Sequence, residues 1–222
     1  LDETKFIMAY INEKKERYEE ALKVWKYFGT RNVQNDKYLL IGRERTKKIF
    51  YKFKENKTLK PEIKQILFRQ YIIWLLLKYQ NEAFEIMQKT EIVSVNVFLN
   101  EIIPEIEKIK EEQGFLKEKF LEYCNQNNKN EDYQTQLLKL YLDKMFNYMP
   151  KEKKNIDKEN FLEGDLKKYY DMFVKIIKEP DCCYNKKEIL EQIENSWLKE
   201  PKIYLYSQLG EHDKALNELF NE

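Results

Sequence analysis

The stretch from Trp197 to Phe220, WLKEPKIYLYSQLGEHDKALNELF, sets the tightest limit on what this chain can fold into. An aromatic and apolar helix runs into Leu209-Gly210, the polar turn Glu211-His212-Asp213 follows, and Lys214-Ala215-Leu216 opens a second helix. A short helix–turn–helix with a small residue at the contact is the unit from which α-solenoids are stacked. Breakers are scarce elsewhere: five Gly and five Pro in 222 residues are too few for a sheet-and-turn fold or a nucleotide-loop α/β fold. The expectation is an all-α chain, an α-solenoid of about 10–12 helices over residues 1–222 as a single segment. Because it opens on Leu1 rather than Met, it reads as part of something longer.

The hydrophobic fraction of 42% is enough for a continuous core. Charged residues make up 36%, yet they nearly cancel to a formal +1, so no global field draws the chain to nucleic acid or an anionic membrane. Cys124, Cys182 and Cys183 are odd in number, and the adjacent pair is no CxxC half-site. With no signal-like start, they fit a reducing, cytosolic compartment. The longest apolar run, Ile66 to Leu77, contains Arg69 and Gln70 and falls short of the ~20 residues of a membrane span, so it reads as a buried helix.

Helical periodicity predicts helices over 2–13, 16–28, 36–54, 62–79, 81–88, 94–103, 105–124, 161–178, 200–209 and 212–221. Leu138, Tyr141, Leu142, Met145, Phe146 and Met149 form one further apolar face, and Ile189, Leu190, Ile193 and Trp197 another. The second is introduced by Asn185-x-x-Glu188, which has the spacing of a capping box. Pro61 and Pro201 suit first-turn positions, Pro180 follows a helix end, and Pro104 should break or kink its helix. Gly29-Thr30 and Gln113-Gly114 read as short breaks. The stretches Asn125 to Asp132 and Pro150 to Asn160 read as loops extruded from turns.

A degenerate repeat supports stacking. Glu20 to Trp25 (EALKVW), Glu82 to Met87 (EAFEIM) and Lys214 to Leu219 (KALNEL) each follow an apolar helix and a polar turn. The predicted contact residues of these hairpins are Ala21, Leu22, Ala83, Phe84, Gly210, Ala215 and Leu216, all structural in role.

Catalysis finds little footing. The single histidine, His212, sits at a turn tip between Glu211 and Asp213, where a solvated turn is the simpler reading than a general base or metal ligand. No Ser/His/Asp order, HExxH, Walker A or GxGxxG occurs, so no enzyme activity and no cofactor are expected. The strongest charge feature is Arg43 to Lys60, with eight basic and two acidic residues. Arg43, Arg45, Lys47, Lys48, Lys52 and Lys54 form a candidate interaction patch, with Phe50, Tyr51 and Phe53 interleaved. The competing reading is the basic outer face of a core helix. An acidic partner, anionic lipid or nucleic acid is the alternative. Trp25, Trp74 and Trp197 lie on predicted apolar faces and read as core rather than interface anchors.

The segment Phe161 to Phe220 resembles the vacuolar protein sorting subunits found at one end of the HOPS and CORVET membrane tethers, a family that includes the TGF-beta receptor-associated protein. The residues that carry the likeness are Leu166 to Ile177 (LKKYYDMFVKII), the helix Glu188 to Trp197 and, most specifically, Leu205 to Leu216 (LYSQLGEHDKAL). Tyr18 to Trp25, Tyr71 to Pro104, Phe120-Leu-Glu-Tyr and Leu137 to Tyr148 match more loosely and in the same order. A similar Leu-Gly turn occurs in clathrin heavy chain repeats, which keeps a coat-type or other helical-repeat adaptor as the alternative. The resemblance implies a solenoid scaffold in endosomal or vacuolar (lysosomal) vesicle fusion and protein transport, cytoplasmic and peripheral on those membranes. Its partners would be other tether subunits, with Rab-class GTPases engaged only through parts outside this sequence. No catalytic, metal or cofactor residue is implied.

Overall fold

The computed structural model describes residues 2–31, 37–110, 115–127, 129–148 and 164–220. Among these the chain is all-α, with thirteen α-helical segments, one π-turn and no strand. Packing is mostly between helices close in sequence. The chain separates into two compact units, Leu1–Lys117 and Glu118–Glu222.

The first unit holds α1 (Asp2–Lys14), α2 (Tyr18–Gly29), α3 (Lys37–Glu55), α4 (Pro61–Lys78), α5 (Gln80–Thr90), α6 (Val95–Val97), the π-turn (Phe98–Ile102) and α7 (Ile103–Lys110). Helix α2 packs on α1, α3 and α4, while α5 packs on α3 and α4. Large aromatic side chains fill the space: Trp25, Phe28, Phe50, Phe53, Phe68 and Tyr71 are buried. Several meet edge to face, as Phe6 meets Trp25 with ring centroids 5.5 Å apart and Tyr18 meets Phe53 at 5.1 Å. That geometry favours ring quadrupoles over a flat sandwich.

In the second unit lie the later residues of α8 (Phe115–Asn127), then α9 (Glu131–Tyr148), α10 (Gly164–Lys178), α11 (Lys186–Ile193), α12 (Lys199–Gln208) and α13 (His212–Phe220). Helix α10 packs on α9, α11 on α9 and α12, and α13 on α12. Buried Gln134 ties the α10–α11 loop to α9: its Oε1 accepts the Cys183 N–H at 2.7 Å and its Nε2 donates to Asn125 Oδ1 at 2.8 Å. A buried Lys202 on α12 is ion-paired with Glu218 on α13.

Two turns share one construction. At the end of α1, Glu16 takes a left-handed conformation (φ 56°), and at the end of α12 Gly210 does the same (φ 76°). In the first, the Glu16 N–H donates to the Glu13 carbonyl at 3.2 Å and the Arg17 N–H to the Asn12 carbonyl at 2.9 Å. In the second, the Gly210 N–H donates to the Ser207 carbonyl at 3.2 Å and the Glu211 N–H to the Tyr206 carbonyl at 2.9 Å. This pairing is the Schellman motif, which satisfies the last carbonyls of a helix as the chain reverses. Arg17 and Glu211 then precede α2 and α13 directly. The alanines Ala21, Ala83 and Ala215 are each the fourth residue of their helices, and each N–H closes the first turn at 3.1 Å, on Arg17, Tyr79 and Glu211.

Several expected boundaries differ. Helix α11 ends at Ile193, so Trp197 does not continue its face. The Ser196 hydroxyl donates to the Ile193 carbonyl at 2.6 Å, a local bond that competes with the next helical turn. Half of the predicted capping box forms: Asn185 Oδ1 accepts the Glu188 N–H at 3.2 Å, but the Glu188 carboxylate pairs with Lys139 and the Asn185 N–H donates to Thr135. Pro104 does not stop its helix. The π-turn precedes it, and the Ile103 N–H reaches back five residues to the Phe98 carbonyl, which shifts the bonding register just where a proline has no N–H to give. Of the helix expected over 105–124, the described residues hold α7 up to Lys110 and α8 from Phe115, and 111–114 lie outside the described residues. Helices consume both ends of the expected Asn125–Asp132 loop, with Asn130 Oδ1 accepting the Asp132 and Tyr133 N–H groups at the start of α9. The breaker Gln113-Gly114 and the loop Pro150 to Asn160 lie outside the described residues.

Candidate interaction surfaces

The basic helix α3 carries the charges that the sequence singles out, and acids on its neighbours meet most of them. Arg43 lies 3.2 Å from Glu82 of α5 and over the ring of Tyr79. Lys47 pairs with Glu85 of α5 at 2.7 Å. On the α1 side, Lys52 reaches Glu13 at 2.7 Å and Arg45 lies 3.7 Å from the same carboxylate. Lys54 donates to the Lys89 carbonyl at 2.8 Å, and Lys48 is exposed. Glu13 is only 4% exposed, so its charge is held by these cations rather than by water. Hydrogen bonds from Lys47 and Lys89 hold the Glu85 carboxyl well below the usual range, at about 2. The apolar side of the same helix, Ile49, Phe50 and Phe53, is buried. The patch is therefore largely spent on fastening α3 to α1 and α5.

The predicted hairpin residues divide. Ala21, Leu22, Ala83 and Phe84 are fully buried, and Ala215 nearly so. Leu216 is 50% exposed, unlike its counterparts Leu22 and Phe84. Gly210 contributes conformation rather than contact, since a methyl group built on it would meet nothing within 4 Å. His212 is exposed in the first turn of α13. Among the described residues no cluster of His, Cys, Asp and Glu is arranged to hold a metal ion. Burial pushes the Cys124 thiol up to about 12, while Cys182 and Cys183 are part-exposed. Nor, among the described residues, is any helix long and apolar enough to cross a membrane.

A concave surface that periodicity did not predict lies in the second unit. Tyr170 of α10 stacks on Trp197 with centroids 6.0 Å apart, and Leu198, Ile203 and Tyr204 continue the wall of a groove of about 860 Å³. Trp25 and Trp74 are buried as expected, whereas Trp197 is only part-buried here, and its indole N–H meets no acceptor. Lys178 and Lys199 border the groove together with Glu200. The Glu200 carboxylate accepts from Lys178 and from the Tyr170 hydroxyl, which lower its pKa. The signal was faint in sequence because the wall comes from α10, the 194–198 turn and α12, none of which shows the others in its own spacing.

The chain matches no family model, no curated protein and no solved structure.

Proposed function

We propose that this chain is a segment of a helical-repeat scaffold, an α-solenoid stacked from helix–turn–helix units, whose work is to hold other proteins rather than to transform a substrate. The observation that supports this most is the recurrence of one turn: the Schellman bonds at Glu16 and Gly210, each followed five residues later by an alanine that closes the next helix's first turn. A construction used twice in one chain, with a third alanine at the same place in α5, is what repeat architectures are made of. The likeness of Phe161 to Phe220 to tether subunits gives the assembly: a HOPS- or CORVET-class membrane tether in endosomal or vacuolar (lysosomal) fusion. The chain would be cytoplasmic and peripheral there, a non-enzymatic spacer with other subunits as its partners.

Purification of the tagged protein from its own cells, with quantitative mass spectrometry, tests this reading. Stoichiometric recovery of the tether core subunits is the expected result. Their absence, with recovery of coat subunits instead, would assign the scaffold to a coat.

A further inference from the structure

We propose that Cys182 and Cys183, side by side on the turn between α10 and α11, are an oxidation switch: a hydroperoxide converts the pair to a disulfide, and the turn loses its hold on α9. The chemistry lies in the chain itself and goes beyond the scaffold reading.

Unlike buried Cys124, both thiols are part-exposed, so a small oxidant reaches them. Burial, and then the neighbouring Cys182, raise the Cys183 thiol, so the two side chains lie within electrostatic reach of each other. Their hydrogen bonds rank them. Cys183 Sγ donates to Gln134 Oε1 at 3.4 Å. Cys182 Sγ reaches the Ile177 carbonyl only at 3.9 Å, and the Tyr184 hydroxyl already donates to that oxygen at 3.0 Å. Cys182 is therefore the thiol oxidised first, and Cys183 the resolving one.

The step balances within the pair and the oxidant. The Cys182 sulfur takes the terminal oxygen of the hydroperoxide: S–O forms, O–O breaks, and an alcohol leaves, or water if the oxidant is hydrogen peroxide. The Cys183 sulfur then displaces that oxygen: S–S forms, S–O breaks, and water leaves with the Cys183 proton. The two thiols give up two electrons and two protons, which the hydroperoxide takes.

The consequence falls on Gln134. Its buried Oε1 accepts the Cys183 N–H at 2.7 Å as well as the thiol, and Thr135 beside it accepts the Asn185 N–H at 2.9 Å. Neighbouring Cα atoms stand about 3.8 Å apart, against the roughly 4.4–6.8 Å that a disulfide usually spans. Ring closure must therefore twist the peptide that carries the Cys183 N–H while it removes the S–H. Gln134 is left with a buried carbonyl and no donor from the turn. The same strain makes the bond easy to reduce, as a reversible switch in a reducing compartment requires.

The test treats the whole chain with hydrogen peroxide, maps its peptides by mass spectrometry and follows amide exchange by nuclear magnetic resonance. A single peptide holding both cysteines, lighter by two hydrogens and restored by dithiothreitol, is the expected product. Exchange at the Cys183 and Asn185 amides should quicken about tenfold or more on oxidation. Cys182→Ser should abolish both changes, and so should Cys183→Ser, whose hydroxyl keeps a donor for Gln134 in the untreated protein. No reaction, sulfinic or sulfonic acids alone, or disulfides only between chains would overturn the proposal. So would an internal disulfide that leaves exchange at Cys183 and Asn185 unchanged. None of these outcomes touches the recovery of tether subunits, which tests the scaffold reading separately.

Discussion

Gly42 of α3 lies so close to Gly29 of α2 that a methyl group on it would sit 2.6 Å from the Gly29 nitrogen and 2.5 Å from the Trp25 carbonyl oxygen. Both obstacles are backbone, which cannot turn aside as a side chain can. Gly29 in turn leaves room for the ring of Trp74, 2.5 Å from where its own methyl would stand. Three helices therefore meet where two residues have no side chain.

Gly42→Ala should destabilise the first unit by about 2–4 kcal/mol despite alanine's better helix propensity, because overpacking against backbone outweighs it. Urea unfolding followed by the fluorescence of Trp25 and Trp74 reads this directly. A variant as stable as the parent would mean that α2 and α3 do not approach this closely.

The shared turn gives a prediction of opposite sign. Glu16 holds a left-handed conformation that glycine adopts freely, so Glu16→Gly should stabilise by roughly 0.5–1 kcal/mol. Gly210→Ala, with open space around it but φ of 76°, should cost about 1 kcal/mol. Thermal unfolding of the two variants side by side is the measurement.

Glu85 should make the protein acid-sensitive in a defined window. Its folded pKa of about 2 lies below the ordinary 4.5, so the unfolded chain takes up the proton first as pH falls. The contribution is complete above about 4.5 and is lost progressively down to about 2. Glu85→Gln should flatten that part of the stability profile, measured by urea midpoints across the acid range.

Thiol chemistry should separate the cysteines. Cys124 is buried and its thiol is held protonated, so iodoacetamide should leave it unmodified in the native state and reach it on unfolding. Cys182 and Cys183, part-exposed, should react first. Peptide mapping by mass spectrometry distinguishes them.

Helices were legible in the sequence wherever an apolar face repeated over several turns, as it does through Leu138, Tyr141, Leu142 and Met145. Their ends were less so, because a single side-chain bond decides them: the Ser196 hydroxyl closes α11 early, and Asn130 starts α9 before its apolar face begins. The basic stretch was visible as charge, but not its neutralisation. Glu13, Glu82 and Glu85 come from helices far from α3 in sequence, and only packing brings them to it. The Glu16 turn escaped for a related reason. Glutamate carries no mark of a left-handed residue, whereas Gly210 announces one.

The π-turn before Pro104 has a consequence for how this chain tolerates changes of length. A π-turn winds about 4.4 residues into a revolution that an α-turn completes with 3.6, so Phe98–Ile102 stores nearly one residue of slack. Loss of a residue there would tighten the turn and leave Ile106 on its side of the helix. The same loss within α4 would swing every following side chain by about 100° and carry Trp74 and Leu75 out of the interior. A one-residue deletion within a helix should therefore be tolerated best around residue 100.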